Sequence, residues 1–139
     1  MAHIGFTGEE FNAFRNVPRD GPIQMLNLVA LRERAEYPDG RDATGAEAYA
    51  AYGRETAHIL EKLGGRIVWR GKMEAMLIGP QDDESWDICF IAEYPSVDAF
   101  VSMIKDAEYR AAMVHRQAAV KDSRLIRMEP LGGGENFGG

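Results

Sequence analysis

Cysteine and histidine are scarce in this 139-residue chain, which contains only Cys89 and the three histidines His3, His58 and His115. One cysteine excludes an internal disulfide and any site built from several cysteine ligands. The histidines do not have the spacing of a helical metal-binding pair. The sequence therefore predicts no metal site, and a lone cysteine favours a reducing, cytoplasmic setting.

Long apolar runs and clustered positive charge are also missing. No apolar run approaches the ~20 residues that cross a bilayer, and the first five residues lack the pattern of a signal peptide. The net charge is −6, with Lys and Arg scattered among acidic residues. Because phosphate backbones are bound by clustered cations, we predict a cytoplasmic protein with neither a membrane nor a nucleic-acid partner.

The common catalytic and cofactor motifs are absent as well. The serines lack the surroundings of a nucleophile elbow. The glycine run Gly132–Gly134 precedes no helix, so it is not a phosphate-binding loop. The sequence accordingly predicts no cofactor.

Local signals divide the chain into an extension with a short helix over 1–21, a domain over 22–130 and a glycine-rich, mobile tail over 131–139. Capping boxes at Thr7 and Thr44 predict helix starts, and Ser96 and Asp106 predict two more. Apolar patterns predict four strands, with a bulge at Gly71 in the second; the strands span Ile23–Leu31, Arg66–Ile78, Trp86–Tyr94 and about 123–129.

The resulting βαββαβ order is typical of a ferredoxin-like α+β fold, with a four-stranded antiparallel sheet and helices on one face. The first strand places Met25 and Val29 on one face, but Leu26 and Leu28 on the other. A bare second face would exceed the ~300–600 Å² apolar patch that monomers usually carry. We therefore predict a homodimer that forms through the sheet face.

Several segments from Pro22 onward resemble the DUF1330 family of small bacterial proteins, which have the dimeric α+β barrel fold. The resembling segments are Ala48–Gly53, Gly64–Arg66, Tyr94–Phe100, Asp106–Arg110 and His115–Arg116. The resemblance implies the fold and dimerisation, but little chemistry, because the family is named for having no assigned function. Its wider superfamily includes cofactor-free monooxygenases, muconolactone isomerase-like proteins and haem-binding chlorite dismutase-like proteins. The leading helix, the charged loop after the first strand and the glycine tail depart from shorter members.

A candidate site combines polar and aromatic residues from several elements. Asn27 is polar within an apolar strand, and a buried amide needs hydrogen-bond partners. His115 could act as a general base, and Arg116 could hold a carboxylate or enolate by a bidentate contact. An aromatic pocket for a small aromatic or anionic ligand is predicted from Asn27, Tyr49, Tyr52, Trp69, Trp86 and Tyr109.

Packing alone also accounts for many of these residues. Tyr49 and Tyr52 suit an amphipathic helix, and tryptophans are common in cores and interfaces. His115 and Arg116 are adjacent helix positions about 100° apart, so they need not face one pocket. The charged segment Arg32–Tyr37 is either a solvated loop or a lid.

Three functional hypotheses follow. The first is a small-molecule-binding protein or cofactor-independent oxygenase-like or isomerase-like enzyme that uses Asn27, His115 and Arg116. The alternative is a non-catalytic dimeric ligand-binding or interaction module, whose cavity lacks a positioned acid or base. The third is haem binding, for which His58 and His115 are the candidate axial ligands.

Overall fold

The described part of the chain folds into a four-stranded antiparallel sheet, accompanied by four helices. The computed structural model describes residues 2–139. In chain order the elements are α1 (Gly8–Arg15), β1 (Ile23–Leu31), α2 (Gly45–Lys62), β2 (Arg66–Gly71), β3 (Ile88–Tyr94), α3 (Val97–Lys105), α4 (Ala107–Ala119) and β4 (Val120–Met128). The strand order is β2-β3-β1-β4, and every pair is antiparallel. The predicted ferredoxin-like α+β class is confirmed.

The predicted caps start their helices. In the box before α1, Glu10 N donates to Thr7 Oγ1 over 3.1 Å, and Thr7 N donates to Glu10 Oε1 over 2.8 Å. The box formed by Thr44 and Glu47 repeats this arrangement before α2. After α2, Gly64 has a φ of +79°, a left-handed conformation that glycine adopts without steric cost.

One face of the sheet carries the main core. Ile23, Met25 and Val29 point to this face from β1 and are almost completely buried. They pack with residues of β3 and of the helices, including Tyr94, Phe100 and Tyr109. We call it the helix face, because the helices contribute to both of its clusters.

The opposite face is only partly covered, and we call it the open face. Strand register places Leu26 opposite Ile91 and Ile126, and Trp69 opposite Ile91 from the other side. Trp69 is 50% exposed, Met128 43% and Ile126 41%. The apolar surface predicted from the alternation in the first strand is therefore present.

The predicted second and third strands are too long. β2 ends at Gly71 rather than Ile78, and the residues up to Asp87 form a loop in which Pro80 can donate no backbone hydrogen bond. The register shift lies between Ile67 and Trp69, so the bulge predicted at Gly71 is misplaced. Trp86 precedes β3 and packs with Ala30 and Cys89 on the open face, not with Phe90.

The two ends of the chain differ in their contacts. The N-terminal strap, defined here as residues 3–14, packs Ile4, Phe11 and Phe14 against the two core clusters of the helix face. Residues 131–139 contain no helix or strand. Within residues 2–139, no helix has the length and apolar character needed to cross a membrane.

Candidate functional site

A cavity of 620 Å³ lies between the helix face and the helices. We call it the sheet–helix cavity. Its floor comes from the strands and includes Met25, Asn27, Phe90, Ala92 and Tyr94. Helices α2, α3 and α4 supply the walls, which include Tyr49, Tyr52, Gly53, Phe100, Met103, Tyr109, Met113 and Arg116. The lining is mainly apolar, and its few polar groups are carried on regular secondary structure.

The N-terminal strap closes one side of the cavity with Phe6, Phe11 and Phe14. The start of the strap is held by three hydrogen bonds. Arg116 Nη1 donates to Ile4 O over 2.6 Å, Ser123 Oγ donates to His3 O over 2.7 Å, and His3 N donates to Asp122 Oδ1 over 2.8 Å. Residues of α4 and β4 therefore hold the strap over the cavity.

The far end of the strap is held by β4 as well. Arg127 Nη1 donates to Phe14 O over 2.7 Å, and its guanidinium lies 5.5 Å from the centre of the Phe14 ring. Phe14 in turn contacts Phe100 of α3, with ring centres 5.1 Å apart. The extension is thus an integral wall of the cavity.

Two of the tyrosines share one hydrogen bond. The hydroxyl oxygens of Tyr52 and Tyr109 are 2.6 Å apart, joining α2 to α4. Each hydroxyl carries one proton, and a single bond uses only one of the two. The other proton remains available to a bound molecule.

The cavity tyrosines remain neutral across the physiological pH range. Burial raises the pKa of Tyr49, of Tyr52 and of Tyr109 above the ordinary value of 10.0. Burial also raises the pKa of Tyr94, another lining residue. Within the described part of the chain, the Tyr49 hydroxyl makes no hydrogen bond. These phenols are therefore donors rather than bases.

Asn27 and Arg116 add polar groups to the lining. Asn27 Nδ2 donates to Met25 O over 3.0 Å, which leaves the side-chain carbonyl free to accept a bond. Arg116 Nη2 donates to Ser123 Oγ over 3.4 Å, in addition to the bond to Ile4. Of the eight side chains predicted for the site, the cavity thus gathers Asn27, Tyr49, Tyr52, Tyr109 and Arg116.

His115 does not line the cavity, although Arg116 beside it does. Its Nδ1 lies 2.7 Å from the Tyr37 hydroxyl, and its Nε2 lies 2.8 Å from Glu55 Oε2. Both ring nitrogens are therefore engaged elsewhere. The 100° step between adjacent helix positions separates the predicted base from the predicted anion-binding residue.

Neither tryptophan joins the cavity. Trp69 lies on the open face, half exposed. Trp86 is buried there, with the Arg124 guanidinium carbon 5.1 Å from its ring centre. The predicted ligand-binding role of these two residues has no support from their positions.

The described residues contain no set of side chains arranged to bind a metal ion or haem. No group of three His, Cys, Asp or Glu residues gathers within residues 2–139. His58 pairs with Glu108 across an Nε2–Oε2 distance of 2.5 Å and does not line the cavity. The two histidines considered for haem thus hold carboxylates outside it.

The sequence prediction missed the strap and Ser123 as parts of the site. The capping box at Thr7 and the apolar pair Phe11 and Phe14 indicated an amphipathic helix. They could not indicate which surface this helix covers. Ser123 carried no signal, because an isolated serine at the start of a predicted strand is unremarkable.

Comparisons with known proteins agree with the fold. The family model of DUF1330, a domain of unknown function, matches residues 41–129. The crystal structure of RPA0582, a protein of unknown function from Rhodopseudomonas palustris, is 62% identical, covers 96% of this chain and 100% of its own, and has a TM-score of 0.90. The methylated RPA0582 protein is 63% identical over 96% and 98% of the two chains, with a TM-score of 0.91.

A more distant structure shares the fold alone. SnoaB, a cofactor-independent oxygenase from Streptomyces nogalater, is 14% identical over 84% of this chain and 99% of its own, with a TM-score of 0.54. No curated protein matches the chain.

The DUF1330 match begins inside the loop before α2, so it is narrower than the resemblance predicted from Pro22 onward. The strap and β1 lie outside it, whereas the match to RPA0582 covers 96% of the chain. The match nevertheless includes α2, α3, α4 and three of the four strands. Because it spans more than half of the sequence, the chain belongs to the DUF1330 family.

Proposed function

We propose that the chain binds a small, mainly apolar molecule in the sheet–helix cavity. The observation that carries this proposal is a 620 Å³ space lined by apolar side chains and by polar groups with unused hydrogen-bonding capacity. Ligand cavities typically measure about 300–1,000 Å³ and combine an apolar lining with a few placed polar groups. The Tyr49 hydroxyl, one proton of the Tyr52–Tyr109 pair and the Asn27 carbonyl supply those groups.

The titratable groups of the cavity favour binding over the enzymatic alternative. A cofactor-independent oxygenase or isomerase needs a positioned base. The lining tyrosines are neutral, and Arg116 cannot accept a proton. His3 also lines the cavity, but its side chain is exposed and makes no hydrogen bond among residues 2–139 that would position it as a base. Glu10, a residue of the strap, already accepts a hydrogen bond from the backbone amide of Thr7. The predicted base, His115, is engaged by Tyr37 and Glu55 away from the cavity.

The test is calorimetric titration with 2-naphthamide, a neutral aromatic probe. Gly53 lines the cavity, and a Cβ built there meets no atom within 4 Å. Gly53→Trp therefore extends a large side chain from the wall, whereas Gly53→Ala adds only a methyl group. We expect saturable binding that is weakened about tenfold or more by tryptophan but not by alanine. Equal binding by both variants contradicts the proposal, and so does failure of the wild-type chain to bind both this probe and its carboxylate analogue, 2-naphthoate.

We also propose that two copies of the chain associate through the open face. This face exposes Trp69, Ile126 and Met128, and burial of each large apolar side chain is worth about 1.5–3 kcal/mol. The loop after β2 also exposes Leu77 and Ile78 almost fully. A second copy supplies an equally apolar surface, as expected for a two-fold interface.

The charges of the open face are compatible with such an interface. Glu93 accepts hydrogen bonds from Arg66 Nη2 over 2.9 Å and from Gln24 Nε2 over 2.9 Å. Arg124 pairs with Asp122 over 2.9 Å. Because these charges are matched within one chain, two copies can meet without burying an unpaired ion. Light scattering of the purified chain measures whether its mass is that of one copy or two.

A further inference from the structure

Arg116 points to the chemical class of the ligand. We infer that the cavity binds an organic carboxylic acid in its anionic form, with the Arg116 guanidinium as the counter-charge for the carboxylate. This inference rests on the proposed function, and it adds a charged head group to the apolar body already argued.

The positive charge of Arg116 has no anionic partner among residues 2–139. Its two hydrogen bonds go to Ile4 O and to Ser123 Oγ, which are neutral acceptors. None of the ion pairs in this part of the chain includes it. A partly buried charge without a counter-ion is costly, and an anionic ligand would supply the missing charge.

Arg116 also retains hydrogen-bonding capacity. A guanidinium has five N–H donors in a planar fork, and only two of them are used by Ile4 and Ser123. The fork matches the two oxygens of a carboxylate, and such bonds are stronger than neutral ones. A carboxylate is thus a better match for the remaining donors than a single hydroxyl or amide oxygen.

The neighbouring phenols strengthen this assignment. Arg116 is close enough for its charge to oppose the rise that burial causes in the pKa of Tyr49, Tyr52 and Tyr109. Burial prevails in each case, so no phenolate neutralises the guanidinium. The Tyr49 hydroxyl makes no hydrogen bond within residues 2–139 and can donate a second bond to a carboxylate beside Arg116.

Two other charged side chains that line the cavity, Arg124 and Glu10, make contacts of their own. Arg124 is among the lining residues, but its guanidinium pairs with Asp122 and lies over Trp86 of the open face. Glu10 accepts the Thr7 amide within the capping box. The whole chain carries a net charge of −6, so its overall field does not attract anions. Recognition of an anion therefore depends on the local charge of Arg116.

The test compares two probes of nearly the same shape, 2-naphthoate and 2-naphthamide, by calorimetric titration at neutral pH. In the wild-type chain we expect 2-naphthoate to bind about tenfold or more tightly, because the charged head group meets the guanidinium. Arg116→Gln should bring the two dissociation constants together. Arg110→Gln removes the same charge from the same helix outside the cavity and should retain the preference.

Arg116→Lys is a second variant, which tests the inference even if Arg116→Gln fails to fold. Lysine keeps the charge but loses the fork, so a weaker preference for 2-naphthoate is expected. Equal binding of the two probes by the wild-type chain overturns this inference while leaving the proposed function intact. An unchanged preference in Arg116→Gln overturns it as well. Failure of both probes to bind overturns the inference together with the proposed function.

Discussion

Tyr37 and His115 are joined by a hydrogen bond of 2.7 Å between the phenol oxygen and Nδ1. Their rings meet edge to face, with centres 5.6 Å apart. On its other side the imidazole contacts Glu55 Oε2 over 2.8 Å. Nδ1 can accept the tyrosine proton while Nε2–H donates to the carboxylate. Because Tyr37 lies in the loop between β1 and α2, this relay ties the loop to α2 and α4.

The relay predicts that Tyr37→Phe affects stability rather than ligand binding. The substitution leaves a largely buried His115 nitrogen without its partner, at an expected cost of about 1–2 kcal/mol in the free energy of unfolding. Urea denaturation measures this cost. Glu55 has a half-exposed side chain, so Glu55→Gln should cost less than about 1 kcal/mol.

The affinity for 2-naphthamide separates this structural role from a functional one. Neither Tyr37 nor His115 lines the cavity, so Tyr37→Phe should leave the dissociation constant unchanged while the chain remains folded. A large loss of affinity in a folded Tyr37→Phe variant would show that His115 contributes to the functional site.

The hydrogen bonds of the strap predict a second effect of substitution, on the local opening of the strap rather than on global stability. Ser123→Ala removes the bond to His3 O and one acceptor of Arg116. A net loss of about 1 kcal/mol corresponds to about fivefold faster amide exchange at the start of the strap. Hydrogen–deuterium exchange of residues 2–6 measures it.

An exposed serine away from the strap provides the control for the buried Ser123. Ser102→Ala lies on the exposed side of α3 and should leave exchange in the strap unchanged. If Ser123→Ala also leaves it unchanged, these side-chain bonds do not hold the strap over the cavity.

Local signals predicted much of the fold because they act between near neighbours. The caps at Thr7, Thr44, Ser96 and Asp106 each satisfy backbone groups of the first helical turn. β1 also has the predicted bounds. The end of β2 could not be read in this way, because residues after Gly71 are apolar enough for a strand but have no partner strand.

In the candidate site, too, local features could be predicted from the sequence, whereas features that depend on distant contacts could not. Polarity within an apolar strand marked Asn27, and the sequence placed Tyr49 and Tyr52 in an amphipathic helix. The separation of His115 from Arg116 depends on which surface α4 buries. That orientation follows from packing against α2 and β1, which are distant in sequence. The closure of the cavity by the strap likewise depends on contacts more than 100 residues apart, such as Arg116 with Ile4.

Asp106 predicts an acid-dependent loss of stability. Its Oδ1 accepts the backbone N–H groups of Tyr109 over 3.0 Å and Glu108 over 2.9 Å. The bond from Tyr109 foremost holds the pKa of this carboxyl below its ordinary value of 3.8. Because the folded pKa is lowered, the carboxylate stabilises the fold above pH 3.8, and this contribution is lost as the pH falls through the folded pKa.

Asp106→Asn tests that dependence, since asparagine also caps helices but does not titrate. Melting temperatures measured from pH 6 down to pH 2 should fall less steeply in the variant than in the wild-type chain. Asp106→Ser, a second neutral cap, should behave like the asparagine variant. Parallel curves for all three chains would show that protonation of Asp106 does not contribute to acid unfolding.

The open face predicts a change of mass on substitution. Ile126 is 41% exposed on that face, so Ile126→Lys leaves the fold of one chain intact. In a face-to-face dimer the same change places an unpaired ammonium in each copy's interface and removes apolar burial worth about 1.5–3 kcal/mol per side chain. We therefore expect light scattering to give twice the 15.5 kDa chain mass for the wild type and a single chain mass for the variant.

Leu131→Lys is the matched control for the mass measurement, because Leu131 is 84% exposed and lies beyond the last strand. It should keep the wild-type mass, and circular dichroism should show all three chains to be folded. Two findings would contradict a dimer formed through the open face: a single chain mass for the wild type, or an unchanged double mass in Ile126→Lys. The second result would place the contact between copies on another surface. An interface on the open face would have to bury two lysines without counter-charges, which is costly.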